Sequence, residues 1–143
     1  MPIAEREFII KKQIRDIWDF FTDLNKVGHC LDGVEKVETI DRKSANLTLK
    51  IKFGFIIKEI KLFTKFIELD PIKLVRFKGE GKELDIIGEF KLIKKSKDET
   101  SVYYKMNIEG KGSLKNILHV IIKSTIKEKT DNFIKTVENR LIR

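Results

Sequence analysis

One cysteine, Cys30, stands in the whole chain. That excludes an internal disulfide framework and fits a reducing, cytoplasmic setting. Histidine is almost as scarce, with only His29 and His119. Zinc sites need about four ligands, usually Cys or His pairs at short spacing. Adjacent His29 and Cys30 cannot easily converge on one ion, so neither a metal nor a cofactor is expected. Two prolines, Pro2 and Pro71, and eight glycines leave no linker, repeat or low-complexity block. Charges interrupt every apolar run before it reaches the ~20 residues of a spanning helix. The opening Met1-Pro2-Ile3-Ala4-Glu5-Arg6 has no basic-then-apolar signal pattern. Ala and Gln are nearly absent while Lys and Ile abound, a bias that points to a heat-adapted (thermophile) source.

What is present is enough for one folding unit spanning 1–143. The 143 residues are 41% hydrophobic and 36% charged, and a chain of this length buries roughly two-thirds of its unfolded surface. Thirty Lys+Arg against 22 Asp+Glu set the net charge at +8. Nucleic-acid surfaces concentrate such charge, often with stacking aromatics between the lysines. Here the lysines are spread among Glu and Asp, and the densest group, Lys94-Lys95-Ser96-Lys97, runs into Asp98-Glu99. No nucleic-acid partner is expected; an anionic membrane or an acidic protein is compatible with the charge.

Periodicity divides the chain. Ile3–Ile10 reads as a strand. Ile14, Ile17, Trp18 and Phe21 follow helical spacing, and Asp23 can cap a second short helix ending at Gly28. From Val34 the period becomes two. Leu47, Leu49, Ile51 and Phe53 alternate with polar residues, as do Leu84, Ile86, Gly88, Phe90 and Leu92, and then Val102, Tyr104, Met106 and Ile108. Such one-sided strands belong to an antiparallel sheet with one wet face. Breaks at Arg42-Lys43-Ser44, Gly54, Asp70-Pro71, Gly79-Glu80-Gly81 and Lys95-Ser96-Lys97-Asp98 are spaced as in a meander of hairpins. After Gly110-Lys111-Gly112, Ser113 can cap a long helix, because no glycine or proline follows up to Leu141. The fold class is α+β: a curved antiparallel sheet of about seven strands wrapped around a long C-terminal helix, with two short helices after the first strand.

This order resembles the helix-grip fold of the START-related, polyketide cyclase-like (SRPBCC) superfamily. Within it the chain resembles the carbon monoxide dehydrogenase G-subunit family. The loop Cys30-Leu31-Asp32-Gly33 matches that family's Cys-aliphatic-Pro-Gly, with Asp32 in the place of the usual proline. Gly79-Glu80-Gly81-Lys82 matches its Gly-x-Gly-Lys hairpin, and Gly110-Lys111-Gly112 its glycine pair before the last helix. The resemblance implies an apolar cavity between sheet and helix, used by relatives for sterols, lipids, quinones or polyketides. It also implies two alternatives. One is an accessory that recruits or matures a molybdenum hydroxylase of the carbon monoxide dehydrogenase type at the membrane. The other is a cyclase- or hydrolase-type enzyme.

The residues favour a binding protein over an enzyme. No catalytic residue is assigned, since Cys30 and His29 are sequence neighbours that rarely point together for proton transfer. Gly79-Glu80-Gly81-Lys82 leads into a strand and lacks phosphate-loop spacing; it reads as a hairpin whose glycines permit positive φ. Tyr104 shares the parity of the covered face and is the best polar candidate. Arg76, at the parity of Leu74 and Ile72, is second, against its plainer reading as an ion-pair partner. A lipophilic small molecule is the expected partner, in a cavity walled by Phe53, Leu62, Phe66, Ile86, Phe90, Tyr104 and Met106. Leu118, Ile121 and Ile122 of the last helix should close it. Leu114 to Ile122 is apolar around nearly the whole helix, so it is either buried on all sides or meets something: a gate, an oxidoreductase, a membrane or a second copy. The expected state is a monomer or weak homodimer.

Overall fold

A computed structural model describes residues 2–142, the side chains of Phe53, Ile56, Leu114 and Ile142 excepted. β1 (Ile3–Ile10) leads to α1 (Ile14–Phe21) and α2 (Leu24–Gly28). Six strands follow: β2 (Val34–Thr39), β3 (Ser44–Phe53), β4 (Ile56–Asp70), β5 (Leu74–Glu80), β6 (Leu84–Ser96) and β7 (Glu99–Gly110). A 3-10 turn at Gly112–Leu114 precedes α3 (Lys115–Ile142). All seven strands form one antiparallel sheet in the order β1-β7-β6-β5-β4-β3-β2. The meander β2 to β7 is therefore closed by β1, which returns to pair with the last strand, Ile3 opposite Asn107 and Ile10 opposite Thr100.

Local chemistry accounts for these elements. In α1 the expected stripe buries Ile17, Trp18 and Phe21, with Phe20 beside them. Asp23 caps α2: the Asn25 and Lys26 backbone N–H groups donate to its Oδ1 at 3.0 and 3.2 Å. Ser113 does not act as the expected cap. It lies inside the 3-10 turn, and α3 starts two residues later. That helix of 28 residues, about 42 Å long, lays Leu118, Ile122, Phe133 and Val137 into the core.

Strand parity holds for β6 and β7, where Ile86, Phe90, Val102, Tyr104 and Met106 are buried. It fails for Arg76. Pairing of β4 with β5 shifts register between Phe66 and Glu68, and Val75 and Phe77 take the inner face. Arg76 points outward, 3.4 Å from Glu68 and 3.8 Å from Glu89. A bulge reverses inside and outside for every residue beyond it, so the guanidinium joins a surface ion pair and not the cavity wall.

Gly79 and Gly81 are also there for a different reason from the expected one. The glycines with positive φ are Gly33, Gly54 and Gly112. A Cβ on Gly81 would stand 2.6 Å from the Lys61 carbonyl oxygen, and one on Gly79 would stand 2.7 Å from Ile86 Cγ1. Close approach of neighbouring strands, not turn geometry, requires glycine here.

Aromatic rings fill the middle of the grip. Phe90 stacks on Phe21 at 4.0 Å between centroids and on Tyr104 at 5.2 Å. Phe133 of α3 meets Tyr104 at 5.2 Å and Phe90 at 6.1 Å. Such pairs add about 0.5–1.5 kcal/mol each beyond their area burial. They join α1, the sheet and α3 into one core, and they occupy much of the space between sheet and helix.

Candidate functional site

Space between sheet and helix survives on one side of the aromatic cluster, as an apolar cavity of about 150 Å3. Of the residues expected on its wall, Leu62, Ile86, Tyr104 and Met106 line it from the sheet, and Ile121 and Ile122 from α3. Phe66 and Phe90 lie deeper, around a second void of about 30 Å3, which Ile86, Tyr104 and Met106 also border. Leu118 is buried in the core and borders neither space. The Phe53 side chain falls outside the described residues. Sequence reasoning missed Phe133, Ile126 and Thr130 of α3, and Ala4 of β1, all on the cavity wall. Helical spacing marked Phe133 and Ile126 as inward, but nothing in it says how far along the helix the sheet stays open.

Two hydroxyl groups sit in this apolar setting without a strong partner. Tyr104 is buried, and its phenol donates only to Met106 Sδ, at 3.5 Å. A thioether is a weak acceptor, and burial pushes the phenol pKa well up, so the group stays protonated and available as a donor. Thr64 Oγ1 is buried beside the deeper void with no hydrogen-bond partner. That void is about the size of one water molecule.

At its outer end the cavity turns polar. Asp32, Lys50, Thr125 and Lys129 border both the cavity and an open surface groove of about 540 Å3 between β3, β4 and α3. Asp32 ties the loop after α2 to the helix: Asn132 Nδ2 donates to its carboxylate at 3.0 Å, and Lys129 Nζ lies 3.5 Å away. These partners, the Asn132 hydrogen bond foremost, hold the Asp32 carboxyl below its ordinary pKa of 3.8. The aspartate standing where a proline was expected is thus a polar strap across the cavity mouth.

Other candidates resolve into structural roles. His29 Nδ1–H donates to the Asn25 carbonyl at 2.6 Å, while the Cys30 thiol donates to the Lys26 carbonyl at 3.4 Å. The two side chains satisfy different carbonyls and form no thiol–imidazole pair. Burial pushes the Cys30 thiol up to about 11, and the Arg140 charge offsets only part of that. His119 has a role no spacing rule announced: the Gly110 backbone N–H donates to its Nε2 at 2.9 Å, pinning the end of β7 to α3. Among the described residues, no group of three or more His, Cys, Asp and Glu gathers to hold a metal, and no helix is long and apolar enough to cross a membrane.

The start of α3 is half-covered. Leu118, Ile121 and Ile122 are buried, whereas Ile117 and Val120 are 51% and 63% exposed. The helix is not enclosed on all sides.

The architecture is shared by solved structures of low sequence identity. A conserved protein from Geobacillus kaustophilus aligns with a TM-score of 0.79 at 16% identity, over 99% of this chain and 95% of that one. A START superfamily protein from Mycobacterium smegmatis aligns at 0.74 and 12% identity, over 97% and 96%. The Zhui aromatase/cyclase from Streptomyces sp. R1128 aligns at 0.70 and 11% identity, over 99% and 94%. At such identity these matches speak for the fold alone. No curated protein matches the chain. The family model for the G subunit of carbon monoxide dehydrogenase (CoxG) matches residues 7–142, nearly the whole sheet and both layers of helix. The chain therefore belongs to the CoxG family of carbon monoxide dehydrogenase, on the START-like, polyketide cyclase-related fold.

Proposed function

We propose that this protein binds a lipophilic small molecule carrying a neutral hydrogen-bonding group, held between the sheet and α3. The observation that carries this is the buried Tyr104 hydroxyl, facing an apolar cavity with only a thioether to receive its proton. A buried donor without a good acceptor is costly; a ligand carbonyl, hydroxyl or ether oxygen would satisfy it. Thr64 Oγ1 offers a second such group at the deeper void. Affinity would come from apolar burial, at about 25 cal/mol per Å2, and orientation from the hydroxyls. A space of about 150 Å3 suits a single ring. A longer tail would leave through the mouth beside Asp32 and Lys129, or displace flexible Met106.

Catalysis finds less support. The carboxylate bordering the cavity is Asp32, at the mouth and already engaged by Asn132 and Lys129, so no acid–base pair faces the interior. The family description names a carbon monoxide dehydrogenase. Docking onto an oxidoreductase of that type is therefore the second reading, and co-purification with such an enzyme from the native source would test it.

The test of the first reading is intact mass under native and denaturing conditions, on gently purified full-length protein. An added mass that leaves on denaturation, and extracts into organic solvent as a lipophile with an oxygen function, is the expected result. Tyr104→Phe should lower its occupancy without unfolding the chain. Equal occupancy in Tyr104→Phe would remove the role given to the hydroxyl, and a bare mass across hosts including the native one would overturn ligand binding.

A further inference from the structure

The apolar first turns of α3 are one half of a larger feature. At the other side of the surface groove, β3 and β4 turn at Gly54-Phe55, between register partners Phe53 and Ile56. Phe55 is 106% exposed and Ile57 60%. Ile57 and Ile121 line the same groove, so the hairpin tip and the start of α3 stand on either side of it. Exposed Phe55 and Ile57 on one bank and Ile117 and Val120 on the other thus gather at one end of the molecule. Isolated exposed apolar side chains are common, but a cluster at one end marks a contact.

Charge decides between partners. Lys52 lies directly across the strands from Ile57. On α3, Lys123 and Lys127 follow Val120 by three and seven positions, on its own side of the helix. All three lysines are exposed, and among the described residues none is within ion-pair distance of a carboxylate. Of the nearby acids, Glu35 is engaged by Lys50, while Glu59 and Glu128 are left to oppose them. A second copy meeting this end by two-fold symmetry would set these lysines against their own counterparts. An anionic lipid surface satisfies both features, taking apolar side chains below the headgroups and lysines among them.

We propose that the Phe55 hairpin tip and the first turns of α3 form a docking surface for an anionic lipid bilayer, placed beside the mouth of the cavity. This goes beyond the ligand-binding reading and stands without it, since it uses none of the cavity residues. Its consequence is that the docked protein turns the polar strap of Asp32 and Lys129 toward the lipid, so that an apolar molecule could pass without crossing bulk water.

The experiment is co-sedimentation of the full-length chain with phosphatidylcholine vesicles, with and without phosphatidylglycerol. Binding to the anionic vesicles alone, weakened by salt, is expected. Phe55→Ser should reduce it about tenfold or more, and Lys52→Gln, Lys123→Gln and Lys127→Gln about fivefold each, with circular dichroism unchanged. Phe55→Trp should show a blue-shifted emission on adding anionic vesicles. The proposal is overturned if the wild-type chain stays in the supernatant, or if neutral and anionic vesicles bind it equally. It is also overturned if Phe55→Ser leaves binding intact, or if that variant instead dissolves a dimer seen by light scattering.

Discussion

The ring of Phe77 occupies the space over Gly88: a Cβ built on Gly88 would stand 2.2 Å from Phe77 Cζ. The two are register partners across β5 and β6, and Phe77 continues into the aromatic cluster, 5.7 Å from Phe90. A glycine in a strand gives up side-chain packing, and here the ring opposite restores it. Gly88→Ala is expected to destabilise the chain by about 1–3 kcal/mol through overpacking. Thermal unfolding checks this, with Phe77→Leu in the same chain recovering part of the loss. An unchanged midpoint for the single variant would mean that the ring swings aside without cost.

Thr64 carries a trade-off. Its hydroxyl is buried and unpartnered, so the near-isosteric Thr64→Val should stabilise the ligand-free protein by about 1 kcal/mol. If the hydroxyl serves a ligand, the same variant should reduce ligand occupancy in the native mass spectrum. Destabilisation by Thr64→Val would show that the hydroxyl is satisfied in solution, by water in the deeper void.

Asp32 should act on exchange more than on stability. Its contacts to Asn132 and Lys129 are partly exposed, so Asp32→Ala should cost under about 1 kcal/mol. Release of an apolar fluorescent probe from the cavity should nevertheless quicken, as read by stopped flow. The folded-state pKa lies below the ordinary 3.8. The stabilisation is thus present above pH 3.8 and is lost as pH falls through the lowered value. Release from the wild type should be flat with pH near neutrality and should quicken only in acid. Equal release rates for wild type and Asp32→Ala would remove the strap.

Cys30 governs the alkaline side. Its thiol is raised from 9.0 to about 11 by burial, so the folded state keeps its proton where the unfolded chain loses it. Stability is unaffected below pH 9 and falls as pH rises from 9 toward 11. Cys30→Ala should flatten the decline in that window, measured by urea unfolding, while Tyr104, raised in the same direction, leaves a decline starting nearer pH 10. At neutral pH the native thiol should react slowly with a disulfide reagent and rapidly once unfolded. Fast labelling of the native protein would contradict its burial.

Much of the fold was legible because its signals are local. The alternation through Leu84–Leu92 and Val102–Ile108 defines two strands and their inner faces without reference to anything distant. Asp23 announces α2 because a cap acts within three residues. The failures came where the cause lay elsewhere in the chain. Arg76 was turned outward by a register shift in β4, and Gly79 and Gly81 answer to Ile86 and Lys61, not to their own turn.

The candidate site divides along the same line. Sequence alone determined that the concave face would be apolar, that Tyr104 would be its polar member, and that the first turns of α3 carried more apolar surface than one face can bury. Periodicity reports which side of an element a residue occupies, and these are statements about sides. Only the tertiary structure decided that Phe21, Phe90, Tyr104 and Phe133 close on one another and shrink the cavity to about 150 Å3. It alone set Asp32 across the mouth from Asn132, and brought Phe55 of a hairpin to the end where Val120 is bare. Volume and adjacency depend on how elements far apart in sequence pack, and no local pattern encodes that distance.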